Sequence, residues 1–141
     1  MNSAWLWQRA RETNVVEYAR AVRRLNTVTR QFASFFVDRD IWLTPTMAAP
    51  PPALGHLHAD VEDVPEFFRR LWTFNPLNTI YNASGQPAIS LPLHWNADGL
   101  PIGLMFGAAF GAEDVLFRLA AQLEAARPWH DRHPPVSVWN L

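Results

Sequence analysis

The chain has no lysine and no cysteine among its 141 residues. All twelve of its basic residues are arginine. Without lysine, no step that needs an amine nucleophile or a lysine base can be carried by these residues. Without cysteine there are no disulfides, thiolate nucleophiles or cysteine metal ligands. That is consistent with a cytoplasmic protein, which is the expected location. Net charge is −1, so no electrostatic case for a nucleic-acid partner arises. No apolar run approaches the roughly 18 residues of a membrane span. Near Met1, Arg9 and Arg11 come after Trp5-Leu6-Trp7 and no apolar h-region follows, which is not a signal-peptide pattern. Only five serines occur: Ser3, Ser34, Ser84, Ser90 and Ser137.

What is present is apolar and aromatic. Hydrophobic residues make up 49% of the chain, which reads as globular rather than disordered. At this length one domain is the default, able to bury roughly 70% of its unfolded surface. Seven tryptophans are scattered without period. They read as packing residues, with one or two available to line an apolar pocket.

Apolar residues recur at three- and four-residue steps from Val15 through Tyr18, Ala19, Val22, Leu25, Val28 and Phe32 to Phe36. The spacing predicts one long helix over residues 3–37 with a single apolar face. Arg20, Arg23, Arg24 and Arg30 fall largely off that stripe and read as a solvated face. Residues 40–44 read as a buried strand ending at Pro45, and 45–55 as a stiff proline-rich connector. His56, His58 and Asp60 alternate as metal ligands can, but the segment lacks strand character and no further cluster follows, so no metal or cofactor is expected.

Asp63-Val64-Pro65-Glu66 is a helix start: Asp63 caps, Pro65 suits the first turn, and Glu66 sits where a capping box wants it. Pro76 interrupts or restarts this helix, and Gly85 suits its stop. Residues 88–93 and 102–106 read as strands joined through the turn signal Asn96-Ala97-Asp98-Gly99. A last helix spans about 112–126, and residues 127–141 read as a proline-punctuated surface tail. The whole is a mixed α/β arrangement. Three strands with apolar faces leave edges unpaired, which suggests part of a larger sheet.

Three stretches carry a family resemblance: Asp40-Ile41-Trp42-Leu43-Thr44-Pro45-Thr46, then Tyr81-Asn82-Ala83-Ser84-Gly85-Gln86-Pro87-Ala88-Ile89-Ser90-Leu91-Pro92, then Gly99-Leu100-Pro101-Ile102-Gly103-Leu104. A helix ending Ala120-Ala121-Gln122-Leu123-Glu124 follows. Their order and spacing resemble the C-terminal section of the amidase signature family, over about residues 16–135. The run Ala88 to Trp95 is nearest to amidases of the nylon-oligomer cyclic-dimer type. The resemblance implies a mixed β-sheet covered by helices, with residues 1–141 a partial amidase domain, and an activity that cleaves linear or cyclic amides.

Family members use a serine activated through a second, cis-peptide serine and a lysine, the serines lying in a Gly/Ser-rich stretch. This chain has neither a Gly-Ser-Ser run nor a lysine. No catalytic residue is therefore assigned, and the chain alone is expected to be inactive. Ser84 reads as a turn serine; a triad of Ser84, His94 and Asp98 has no support in the spacing. What the resemblance carries over is the helix before Tyr81-Asn82, which implies that Trp72, Asn75 and Thr79 bind substrate. Their spacing places them on one helical face if the helix is regular.

Three functions compete. The first is a truncated or split amidase, with a small amide as substrate once an N-terminal part or complementing half is supplied, or in a homo-oligomer. The second is a non-catalytic binding or interaction module. The third, a nucleic-acid binder led by the first helix, ranks last and predicts steep salt dependence.

Overall fold

The computed structural model describes residues 2–58 and 63–138. Asp60 and Trp139 lie outside these. The element order is helix α1 (Asn2–Glu12), helix α2 (Val15–Ser34), a 3-10 turn (Phe35–Val37), strand β1 (Trp42–Pro45), helices α3 (Val64–Phe74) and α4 (Asn78–Ser84), strands β2 (Ala88–Trp95) and β3 (Pro101–Gly107), and helix α5 (Glu113–Ala126).

The single helix expected over residues 3–37 is two. Asn14 breaks it with a capping box: its side chain accepts the Val16 and Glu17 N–H groups, each at 3.0 Å, and Glu17 accepts the Asn14 N–H at 3.1 Å. Three orphan donors at the new helix start, the Asn14, Val16 and Glu17 N–H groups, gain partners, so the break competes well with continuation. The apolar stripe of α2 is largely uncovered. Val15, Tyr18, Val22, Leu25 and Val28 are all exposed, and no residue of α2 is buried. Its last turn reaches the sheet, where Phe32 lies against Trp42 of β1 and also against Phe36 and Tyr81.

The capping box expected at Asp63 forms by half. Asp63 accepts the Glu66 N–H at 2.9 Å, but the Glu66 carboxylate turns forward to Arg69 and Arg70, at 2.5 and 2.7 Å. Two guanidiniums outbid one backbone N–H, because bonds between ionised partners are the stronger kind.

The sheet has the order β1-β3-β2 with both pairings antiparallel. Trp42 and Ala88 both pair with Gly107, Thr44 and Ser90 with Met105. The β2–β3 register shifts between Leu91 and His94, where Pro92 supplies no N–H to the ladder. The hairpin turn is held by Asn96, whose side chain accepts from Asp98 N–H at 3.1 Å and Leu100 N–H at 2.8 Å.

Strand alternation gives the sheet two unlike faces. Leu91, Leu93 and Phe106 point to one face and form a core with Ala108 and Leu116 of α5. Ile89, Leu104, Leu119, Leu123 and Trp129 pack around it. The other face presents mostly small and polar residues, Ala88, Gly107, Thr44, Ser90 and Gly103, together with Trp42 and Met105. No helix among the described residues is long and apolar enough to cross a membrane.

Candidate functional site

The polar face is covered at one end and open at the other. At the covered end, Tyr81 of α4 lies on Gly107 of β3. A Cβ on Gly107 would overlap the Tyr81 ring and hydroxyl, so only glycine admits this packing. Trp42 and Phe32 close around the ring with centroids 6.0 and 5.6 Å away. The Tyr81 hydroxyl is buried without a hydrogen-bond partner, and burial pushes its pKa up to about 12.

At the open end is a groove of about 570 Å³. Gly103 is its floor. Thr46, one residue past β1, donates its N–H to the Gly103 carbonyl at 2.9 Å. Thr46 Oγ1 and Ser90 Oγ meet at 2.6 Å above it. A Cβ on Gly103 would stand 2.7 and 2.8 Å from those two oxygens, so glycine is what lets the hydroxyls meet. Met47, Phe74, Pro92 and Ile102 are among the apolar walls, and among the described residues no charged side chain lines the groove. The connector after β1 is tied to the end of α3 by Ala48 N–H, which donates to the Phe74 carbonyl at 3.0 Å.

Trp72, Asn75 and Thr79 do not share one helix. Trp72 is in α3, Asn75 is the residue that caps its end, and Thr79 is in α4. The break falls at Asn75-Pro76-Leu77, because Pro76 has no N–H for the helical ladder. The regular i, i+3, i+7 face therefore does not form. Trp72 is 62% exposed and tilts against Phe68, centroids 5.5 Å apart. None of the three lines the groove over Gly103, although Phe74 beside them does. At the α3–α4 junction, Asn75 Oδ1 and Asn78 Oδ1 are both buried with no hydrogen-bond partner. Asn78 is a residue that sequence reasoning passed over, since an asparagine near a proline reads as turn chemistry.

Ser84 Oγ accepts the Gln86 N–H at 3.4 Å, next to Gly85 at φ 73°, the left-handed end of α4. This is turn chemistry. Asp98 is held in the hairpin turn by the Asn96 side-chain amide at 3.3 Å, and no hydrogen bond among the described residues joins Ser84, His94 and Asp98. His56 and His58 lie in and just after a turn, not on a strand. Among the described residues no cluster of metal-ligating side chains occurs.

Comparison with known proteins decides the family. The amidase family model matches residues 3–117. The chain belongs to the amidase family. It is 44% identical to "Putative amidase AmiC" of Mycobacterium leprae (strain TN) over 82% of this chain and 24% of that protein. To 6-aminohexanoate-cyclic-dimer hydrolase of Paenarthrobacter ureafaciens it is 40% identical, over 69% of this chain and 21% of the hydrolase. A solved structure of 6-aminohexanoate cyclic dimer hydrolase superposes with a TM-score of 0.85 and 32% identity, covering 95% of this chain and 29% of that one. This amidase-family chain thus spans about a quarter of the length of the relatives it matches.

Proposed function

We propose that this chain supplies the C-terminal sheet-and-helix section of an amidase and one wall of its substrate pocket. In this reading Trp72, Asn75 and Thr79 contact an amide substrate, linear or cyclic. The nucleophilic serine, its partner serine and the lysine come from sequence outside these 141 residues. The observation that carries it is the close fit to a minor share of a full hydrolase, 95% of this chain on 29% of that one, by a chain with no lysine. Two further features support it. The uncovered stripe of α2 is the surface expected of a helix whose covering layer lies elsewhere. The buried, unpartnered Asn75 and Asn78 carbonyl oxygens call for an N–H donor, which an amide substrate or a neighbouring segment would bring. The residues 127–141 fit a surface tail, and a cytoplasmic location fits the absence of cysteine.

The test is an assay of the purified chain on simple amides and on the cyclic dimer of 6-aminohexanoate. No turnover above the uncatalysed rate is expected. Turnover that disappears in Ser84→Ala would sink the reading. Supplying the N-terminal section of a full-length relative should restore hydrolysis. Trp72→Ala or Asn75→Ala should then lower kcat/KM by about 10-fold, the effect of one lost substrate contact. A second reading, a binding module without chemistry, is favoured by the groove over Gly103. It predicts a stable monomer that binds ligand and gains no activity from any complementing half.

A further inference from the structure

Helix α2 has an apolar face and a cationic face, and both stand open. At 3.6 residues per turn, Val15, Tyr18, Val22 and Leu25 fall within an arc of about 80°, and all four are exposed. By the same spacing Arg23 and Arg30 flank this stripe, and Arg20 and Arg24 lie behind it. None of these four arginines makes an ion pair among the described residues. Charge is divided along the chain in the same way. Residues 2–34 hold six arginines against two glutamates, net +4, and the rest of the chain holds six arginines against eleven acidic side chains, net −5. Charge and size together decide what can cover the stripe. A second copy would set one +4 arm against another. The stripe from Val15 to Leu25 is roughly 16 Å long and about 10 Å wide, a fraction of the roughly 800 Å² that a stable protein interface takes from each side. A nucleic acid would take the arginines and leave the stripe in water. A bilayer with anionic headgroups meets both faces.

We propose that α2 docks on an anionic lipid surface, lying in the plane of the headgroups. Val15, Val22 and Leu25 enter the upper acyl layer, and Tyr18 keeps its hydroxyl at headgroup level. Arg23 and Arg30 reach lipid phosphates from the flank, their stems along the apolar boundary and their planar forks matched to phosphate oxygens. Binding of this kind scales with buried apolar area and with attraction to anionic lipid, and it needs no shaped groove, so a narrow stripe serves. The acidic remainder of the chain is repelled by the same surface, which turns the sheet and α5 toward water. No part of this uses the amidase reading.

The purified 141-residue chain is centrifuged with vesicles of phosphatidylcholine alone or of equimolar phosphatidylcholine and phosphatidylglycerol, with vesicle-free pelleting subtracted. It should pellet with the mixed vesicles and stay in solution with phosphatidylcholine alone. Raising salt from about 0.05 M to about 0.5 M shortens the Debye length and should weaken binding by roughly tenfold or more. Val22→Glu puts a carboxylate in the stripe and should abolish binding, whereas Val22→Leu should bind as the parent does. Val22 is exposed, and an unchanged far-UV circular dichroism spectrum checks that the variant folds. Arg23→Gln and Arg30→Gln should each weaken binding about fivefold, the worth of one basic residue near such a surface. Val136→Glu, on an exposed residue of the tail, should leave binding nearly unchanged. Mixed vesicles left unbound overturn the proposal, as do equal binding to both lipids, Val22→Glu binding like the parent, or Val136→Glu losing as much as Val22→Glu. Sedimentation equilibrium that finds an assembly of copies, dispersed by Val22→Glu and indifferent to vesicles, gives the stripe to a second copy and overturns it. Release from the vesicles on adding the N-terminal section of a full-length relative gives the stripe to that section and also overturns it. The amidase reading fails separately, on turnover.

Discussion

The two faces of the sheet are built by opposite means. The face under α5 is filled by large apolar side chains, with Leu91, Leu93, Phe106 and Leu116 each at most 6% exposed. The opposite face is thinned at Gly107 and Gly103 so that side chains from other elements can lie on the strand: Tyr81 at one end, the Thr46 and Ser90 hydroxyls at the other. One face stores stability by burial. The other gives up side-chain volume to create shape, and shape is what a ligand reads.

The largest expected effect separates the faces directly. Phe106→Ala should cost about 3–5 kcal/mol, the range for emptying a buried aromatic. Ser90→Ala, on the adjoining strand but the other face, should stay within about 0.5 kcal/mol. Urea denaturation of both variants measures this. Equal losses would mean that the polar face also carries the fold, and the contrast would fail.

A smaller effect sharpens the contrast at the covered end. Gly107→Ala forces a Cβ into the Tyr81 ring and should cost about 1–3 kcal/mol, as overpacking does. The contact is pairwise, so the double variant Gly107→Ala/Tyr81→Ala should be no less stable than Tyr81→Ala alone. Strict additivity in thermal or urea unfolding would show that Gly107 answers to something other than Tyr81.

The face under α5 was legible in the sequence and the other face was not, for a physical reason. Leu116, Leu119 and Leu123 announce their helix by period, and Ala88 to Leu93 announce a strand by an apolar run, so those elements fall within a residue or two of expectation. Gly103 and Gly107 carry no side chain, and what they permit depends on Thr46 and Tyr81, far away in sequence. Local pattern cannot express that. The break at Asn14 was written as Asn-x-x-Glu, yet the apolar stripe runs through it and hid it. The break after Asn75 was signalled by Pro76, which is why Trp72 and Thr79 do not share a regular face. The family resemblance rested on motif order, and it pointed to the segment before Tyr81-Asn82 without giving the break that splits it into two helices.

The smallest effect is a pH dependence confined to the covered end. An ordinary tyrosine ionises near 10.0, and burial moves Tyr81 up to about 12. Between those values the unfolded chain releases the Tyr81 proton while the folded chain keeps it. The folded state then binds more protons, so stability falls as pH rises from about 10 to about 12, and this group contributes no slope below that window. Tyr81→Phe keeps the ring on Gly107 and removes the proton, so the variant should lose this slope while unfolding normally at neutral pH. It also removes a buried hydroxyl that has no partner, which makes a neutral-pH loss of stability unexpected. Thermal midpoints across the window, with phenolate absorbance alongside, measure both. A slope unchanged in Tyr81→Phe would place the alkaline sensitivity elsewhere, and the covered end of the polar face would then be no tighter than its open end.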